Sequence, residues 1–208
     1  MNETTEKRKV WPRLGRWLAE VALVFVGVYA AFWLNNYQQH RQDIKRHDQI
    51  LATLENDLRN GIESAKTEGA KEDRQVAEFD RALAAGEMPP LRPFAFTTDY
   101  SASDIATLLQ SGGIELLDVK TLNAVRQLES VIRGGLSRLN HFEKLSDNLI
   151  APNVDQDTSF FYDPVTKKLR KRFEKYPEGL HATAQFFHDI EQAQDVLLKQ
   201  IQAEQQRR

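Results

Sequence analysis

The stretch that decides the fold class is WLAEVALVFVGVYAAFWL, at residues 17–34. Its only charged side chain is that of Glu20. At 1.5 Å per residue, residues 14–34 extend for about 30 Å as a helix, which matches the hydrocarbon core of a bilayer. Trp17 and Trp33 lie near the two ends, where aromatic rings favour the membrane–water interface. The stretch predicts a transmembrane helix over residues 17–34.

Two alternatives to a transmembrane helix are open for this stretch. One is a buried helix of a soluble protein, although such helices are rarely apolar on all sides over this length. The other is a signal peptide cleaved after Ala30, although the apolar run continues to Leu34 and exceeds a usual signal core. The mean hydropathy of the whole chain is -0.55, so any membrane segment is a solitary one.

Basic residues flank the predicted span unequally. Five precede it and three follow it within twenty residues, and the side richer in lysine and arginine tends to be cytoplasmic. We therefore expect a cytoplasmic basic segment over residues 1–16 and, beyond residue 35, a domain facing the periplasm or cell exterior. The basic residues before the span are Lys7, Arg8, Lys9, Arg13 and Arg16; those after it are Arg41, Lys45 and Arg46.

A stripe of the predicted span carries Glu20, Gly27 and Ala31. Gly27 and Ala31 are four residues apart, and small residues at this spacing let two helix backbones approach closely. Glu20 has two interpretations: its carboxylate reaches back to Arg16 or headgroup water, or it makes a hydrogen-bonded contact between subunits. The stripe favours packing against another helix.

The pattern after the span predicts a long amphipathic helix over residues 35–86. Apolar residues recur there at steps of three and four, and no proline occurs between Arg13 and Glu87; Gly86 is expected to end the helix. Residues 87–100 contain three prolines and predict a linker. The expected inward residues are Ile44, Leu51, Leu54, Leu58, Ile62, Ala65, Val76, Phe79 and Leu83, and the poor positions between them are His47, Gly61, Gly69 and Glu72.

The remainder, residues 101–208, predicts further helices that pack on residues 44–86. A short helix is expected over 103–112, and a long helix runs from its cap at Asp118 to Pro152. Gly134-Gly135 interrupts the pattern of the long helix and is a candidate position for a bend. Another short helix is expected over about 165–175, and the last helix begins at His181. The predicted fold is all-α: an N-terminal transmembrane helix that continues into a long amphipathic helix, packed in an antiparallel helical bundle.

Several short motifs resemble a family of bacterial single-pass membrane proteins of unknown function. They are Glu20 and Gly27 in the span, Asn35-Asn36 at its exit, the acidic leucine-containing run from Ile50 to Leu58, and the Ser111-Gly112-Gly113 element. Tyr37 stands where that family usually has tryptophan. The resemblance covers the first sixty residues well and the rest loosely. It implies an inner-membrane protein with one span, and it implies no catalytic residue.

Residue types that carry chemistry are sparse. The chain has no cysteine, five histidines and a formal net charge of -2. It lacks the lysine-containing glycine loop of phosphate-binding sites and a nucleophile elbow, and no two histidines are spaced to share a metal ion unaided. We therefore predict no enzymatic activity, no metal or cofactor and no nucleic-acid binding.

The strongest local charge feature is a basic cluster formed by Lys167, Lys168, Arg170, Lys171 and Arg172. One interpretation is the solvated face of a short helix. The other is contact with an anionic surface, such as lipid headgroups, a cell-envelope polymer or an acidic partner.

Two functional hypotheses follow from these features. The first is a membrane-anchored structural or interaction protein of the bacterial cell envelope, which self-associates or acts as an accessory subunit of another envelope protein. The second is an extracytoplasmic ligand-binding sensor module, whose pocket an aromatic set would line. That set comprises Phe94, Phe96, Tyr100, Phe160, Phe161 and Tyr162.

Overall fold

Three long helices pack against each other in the computed structural model, which describes residues 11–96 and 114–207 and the side chains from Ala22 and from Glu115 onward. They are α1 (Trp11–Ala84), α2 (Val119–Leu149) and α3 (Tyr176–Gln206). Short 3₁₀ helices lie at Ile114–Leu116, Ala151–Asn153, Thr158–Phe161 and Lys171–Phe173. The prediction of an all-α fold is confirmed.

The chain divides into two compact units, residues 1–46 and residues 47–208. In the first unit, every residue from Ala22 to Arg46 is exposed. Within the described residues, no helix has the combination of length and apolar character needed to cross a membrane. The predicted span begins at Trp17, whereas the described side chains begin at Ala22, so the transmembrane helix stays a prediction.

Local signals at two helix ends act as the sequence predicts. Gly86 has φ 72°, and its N–H donates to Leu83 O while the N–H of Glu87 donates to Ala82 O at 2.9 Å. This is the Schellman arrangement, which requires a left-handed residue after the helix and therefore favours glycine. At the start of α2, the Asp118 carboxylate accepts a hydrogen bond from the N–H of Lys120 at 3.0 Å.

The predicted short helix over residues 165–175 is wrong. Asp163 Oδ1 accepts from the N–H groups of Val165 and Thr166, and Lys167 has φ 55°. Hydrogen bonds of this kind offer the backbone an alternative to helix, so the segment begins as a turn, and only the short 3₁₀ helix Lys171–Phe173 follows it. Helix α3 begins at Tyr176, five residues before the predicted start at His181. The short helix predicted over 103–112 lies outside the described residues.

Two clusters of buried side chains form the core of the second unit. Most of the predicted inward residues are buried or half-buried there, whereas Ile44 is exposed. The first cluster includes Leu51, Leu54, Leu58, Leu128, Leu139, Ile190, Leu197 and Ile201, and the second contains Phe79, Leu91, Phe142, Ile150, Phe161, Tyr162, Phe173 and Tyr176.

Helix α3 runs antiparallel to both other long helices. Its contacts with each of them follow the reverse order of the chain, so α1 and α2 run in the same direction. The predicted antiparallel bundle is therefore corrected for α1 and α2, which are parallel to each other. Antiparallel neighbours can be joined by a short loop, whereas parallel neighbours need a connection as long as the helices, and residues 85–118 provide that length. The pairs are Asp73–His188 and Asp80–His181 with α1, and Gly135–Phe186 and Phe142–Gly179 with α2.

Helix α2 continues without interruption through Gly134 and Gly135, where the sequence predicted a break in the pattern. Gly135 is buried under Phe186 of α3, and a Cβ built on it would overlap the Phe186 ring. Gly179 of α3 faces the Phe142 ring in the same way. Glycine at these two positions lets an aromatic ring of one helix lie directly on the backbone of the other.

Gly134 and Gly135 provide a matched pair of substitutions. Gly135→Ala is expected to destabilise the fold by roughly 1–3 kcal/mol, because the methyl group forces Phe186 to move in a packed core. Gly134→Ala is expected to stabilise it by up to about 1 kcal/mol, since a Cβ there meets no atom within 4 Å and alanine favours helix. Thermal unfolding followed by circular dichroism distinguishes them, and equal melting temperatures would contradict this account.

Candidate functional site

The first candidate site is the apolar part of α1 in the unit of residues 1–46. Folded proteins rarely leave large apolar side chains exposed at consecutive positions. Where such a contiguous apolar patch is exposed, it usually marks a contact with a partner or a membrane. Here they are exposed around the whole circumference of the helix. The exposed fractions are 76% for Leu23, 63% for Val24, 72% for Phe25, 68% for Val26, 77% for Tyr29, 71% for Phe32 and 66% for Trp33.

An aromatic and cationic stack follows this apolar part. The rings of Trp33 and Tyr37 are stacked, with centroids 5.9 Å apart and planes 13° apart. The Arg41 guanidinium lies over the Tyr37 ring at 5.2 Å. These three residues are spaced by four and share one face of the helix. Along the chain, apolar residues up to Phe32 are followed by the aromatic residues Trp33 and Tyr37 and then by the charged Arg41. Helices that leave a bilayer have residues in this order, because aromatic rings favour the interface and charged groups favour water.

Gly27 and Ala31 lie on the described part of this segment, and both are exposed. A Cβ built on Gly27 meets no atom within 4 Å. No contact within the described chain therefore requires a glycine there, in contrast to Gly135 and Gly179. The third residue of the predicted packing stripe, Glu20, lies outside the described side chains.

The second candidate site is a buried polar cluster that joins all three helices. His47 is 1% exposed, and its Nε2 lies 2.7 Å from Glu204 Oε1 near the end of α3. The same Glu204 oxygen accepts from the N–H of Asp118, at 3.0 Å. Arg207 makes an ion pair of 2.8 Å with Asp118 Oδ2. One carboxyl group thus links α1 and α3 to the cap of α2.

The Asp118 carboxylate caps α2 within this cluster. The Lys120 N–H that it accepts from, together with the Arg207 guanidinium, lowers the pKa of Asp118. The sequence marked His47 only as a poor position in an apolar seam. Its spacing of four from Leu51 was the available signal, because a histidine in line with buried leucines needs a polar partner.

Other poor seam positions of α1 also receive side chains from α3. A Cβ at Gly61 would press on the amide of Gln194, and a Cβ at Gly69 would lie 3.3 Å from Phe187 Cβ. Glu72 is half-buried, and this burial raises the pKa of its carboxyl group. At Gly61 and Gly69, therefore, a side chain of α3 lies directly against the backbone of α1.

The remaining histidines are distributed over the surface. His181 and His188 of α3 pair with Asp80 and Asp73 of α1 at 3.1 Å and 3.0 Å. His141 is exposed on α2. Over residues 11–96 and 114–207, no group of three or more histidine, cysteine, aspartate or glutamate side chains is placed to hold a metal ion.

The aromatic set expected to line a ligand pocket packs inside the fold. Phe94 lies 4.6 Å from Phe142 between ring centroids, and Phe96 contacts Phe186 edge to face at 5.8 Å. Phe161 and Tyr162 are buried, and the Tyr162 hydroxyl donates to Pro89 O at 2.6 Å. Tyr100 lies outside the described residues. The described members act as core and anchors of the connection after α1.

An open cleft of about 470 Å³ lies between α2 and the first turns of α3. Arg138, His141 and Lys175 line it together with Glu178 and the Phe142 ring. Arg138 also pairs with Asp189 at 3.1 Å. The cleft combines apolar and cationic groups, which are the groups that would hold a small amphipathic anion.

The basic cluster lies on the turn that replaces the predicted helix. Tyr162 and Leu169 form an isolated antiparallel bridge at its base. Lys167, Lys168 and Lys171 are exposed, as are Arg170 and Arg172. The structure therefore places Lys167 and Lys168 on the exposed turn, Arg170 just after it, and Lys171 and Arg172 in the 3₁₀ helix (Lys171–Phe173) that follows.

Comparisons of the chain with family models, with curated proteins and with solved structures gave no match. The resemblance to bacterial single-pass proteins, drawn from the span and its exit, accordingly stays a prediction.

The His47–Glu204 pair gives a test of the polar cluster. We expect His47→Leu to lower the free energy of unfolding by roughly 1–3 kcal/mol, because the buried carboxyl group of Glu204 loses a hydrogen-bond partner. The matched control is His141→Leu, which removes an exposed histidine of the same unit and is expected to have little effect. Chemical denaturation measures both, and equal losses would show that the pair does not stabilise the bundle.

Proposed function

We propose that the protein is a membrane-anchored helical interaction protein of the bacterial cell envelope. The observation that carries this proposal is the exposure of apolar side chains around the whole of α1 from Leu23 to Trp33. Covering such a surface removes a large apolar area from water, and each Å² of apolar area removed lowers the free energy by roughly 25 cal/mol. A lipid bilayer covers a helix on all sides at once, whereas a single protein partner covers one face.

The composition of the segment supports the bilayer as the covering medium. The Trp33–Tyr37–Arg41 stack has the order expected at a membrane surface. The excess of lysine and arginine before residue 17 favours a cytoplasmic N-terminus and places the helical unit in the periplasm or at the cell exterior. The proposed location is therefore the inner membrane, with residues 17–34 as a single span.

Self-association of the span is the second part of the proposal. Gly27 and Ala31 present a small, exposed surface, and no contact within the described chain requires Gly27 to be small. Close approach of a second helix is the usual use of a small-xxx-small pair in a bilayer. The partner is a second copy of this chain or another single-span envelope protein, for which this chain would act as an accessory subunit.

A ligand-binding sensor is the second candidate, and the cleft between α2 and α3 is the observation that favours it. The described aromatic residues that were expected to line a pocket fill the core instead. The cleft is open and shallow against the Phe142 ring. The exposed apolar part of α1 is a larger surface than this cleft, and we therefore favour the interaction role.

Membrane anchoring is tested by extraction of membranes that contain the full chain. We expect the chain to stay with the membranes in alkaline carbonate and to be released by mild detergent, because an apolar span is held by the hydrocarbon core. In intact spheroplasts, added protease is expected to digest residues 47–208. Release by carbonate would contradict the anchor, and protection from protease would contradict the orientation alone.

Self-association is tested by crosslinking in mild detergent. The double substitution Glu20→Ala and Gly27→Leu is expected to reduce the crosslinked oligomer severalfold, because leucine separates the helix backbones. The matched control is Ala22→Leu, which enlarges a small residue on another face of the same helix. If both variants crosslink like the unsubstituted chain, the stripe does not form the contact.

A further inference from the structure

The turn between Tyr162 and Leu169 is rooted firmly in the second unit and projects from it. Tyr162 is fully buried at the base, and Leu169 packs against the same core cluster. The N–H of Asp163 donates to Lys168 O at 2.8 Å, and the N–H of Lys167 donates to Asp163 O at 2.8 Å. These bonds close the turn on itself, so residues 164–168 form a defined tip.

The two arginines beside the tip are held in place by contacts that leave their charge exposed. Arg170 Nε donates to Tyr162 O at 2.8 Å. The Arg172 guanidinium lies 4.6 Å from the centroids of both the Phe160 and Phe173 rings. Fixed guanidinium groups lose less conformational entropy when they bind an anion.

Residues 163–172 contain five basic residues and one acidic residue, Asp163. None of Lys167, Lys168, Arg170, Lys171 and Arg172 takes part in an ion pair with another described residue. The Asp163 carboxylate is engaged by the N–H groups of Thr166 and Val165 and by the Thr166 hydroxyl, which lower its pKa. The charge of Arg170 also lowers the pKa of Asp163, and the segment keeps an excess of positive charge, with five basic residues against one carboxylate.

The tip also carries an apolar side chain. Val165 is 87% exposed, more than any large apolar side chain from Leu23 to Leu34, and it follows Pro164 directly. The N–H of Val165 donates to Asp163 Oδ1 at 3.0 Å, and this bond restrains the backbone of the tip at that residue. An exposed apolar side chain followed in the chain by basic residues is a combination that suits the headgroup region of an anionic membrane.

We propose that this turn is a contact site for the surface of an anionic phospholipid bilayer. The lysines and arginines face the phosphate groups, and Val165 enters the interface between headgroups and acyl chains. This inference rests on the proposed function in one respect: the membrane anchor is what holds the turn near a lipid surface. A soluble polyanion would use the cations and would have no use for Val165.

The test uses the full chain held in nanodiscs of phosphatidylcholine, mixed with separate vesicles of phosphatidylcholine containing phosphatidylglycerol. Flotation measures how much protein the vesicles capture. We expect capture by the anionic vesicles and not by vesicles of phosphatidylcholine alone. Lys167→Glu together with Lys168→Glu is expected to weaken capture by at least about tenfold, since each basic residue near an anionic surface contributes to binding.

Two further variants separate the alternatives. Val165→Ser keeps the charge and is expected to weaken capture severalfold while leaving binding of soluble polyphosphate unchanged. The control is Arg126→Glu together with Arg133→Glu, which makes the same charge change on the exposed face of α2 and is expected to leave capture intact. Circular dichroism of each variant confirms that it folds.

The proposal is overturned if Val165→Ser captures vesicles as well as the unsubstituted chain, which would assign the turn to soluble anions. Equal loss in the α2 control would assign capture to net charge, and this too would overturn it. Failure of the chain to enter nanodiscs counts against the membrane anchor alone. In that case the same vesicles are added directly to the purified chain, and the same comparisons decide.

Discussion

The packing of aromatic rings onto glycine backbone is the constraint on which the helical unit depends. Phe186 of α3 lies on Gly135, and Phe142 of α2 lies on Gly179, so the two helices meet ring against backbone at two levels. The same two rings receive the connection after α1 through Phe96 and Phe94. One set of contacts therefore sets the distance between α2 and α3 and also holds the chain that returns from α1.

Polar and charged residues set the register of α3 along α1. His47, Asp73 and Asp80 meet Glu204, His188 and His181 in reversed order. The buried pair lies at one end of the unit, and the two exposed pairs lie towards the other. Exposed pairs contribute little to the stability of a protein, whereas a buried hydrogen-bonded pair is costly to break and disfavours other registers. The pair of His47 and Glu204 is accordingly the one that matters for register.

The functional proposals draw on parts of the chain that the bundle does not use. The apolar part of α1 is exposed and contributes no side chain to the core. Most of residues 163–172 are exposed as well, and Leu169 is the residue among them that packs against the core. One surface is apolar on all sides, and the other combines cations with a single apolar tip. Both are suited to lipid, the first to its hydrocarbon core and the second to an anionic surface.

Local patterns were enough to predict the all-α class, the long helices, the glycine stop at Gly86 and the cap at Asp118, because each depends on residues close in the chain. The helix predicted over 165–175 does not form because the Asp163 carboxylate accepts hydrogen bonds from the N–H groups of Val165 and Thr166, and these outweigh a weak helical pattern. The role of Gly135, the partner of His47 and the shared direction of α1 and α2 were decided only by tertiary structure. Each of them joins residues that are far apart in sequence, and a one-dimensional pattern carries no information about which distant side chain fills a given space.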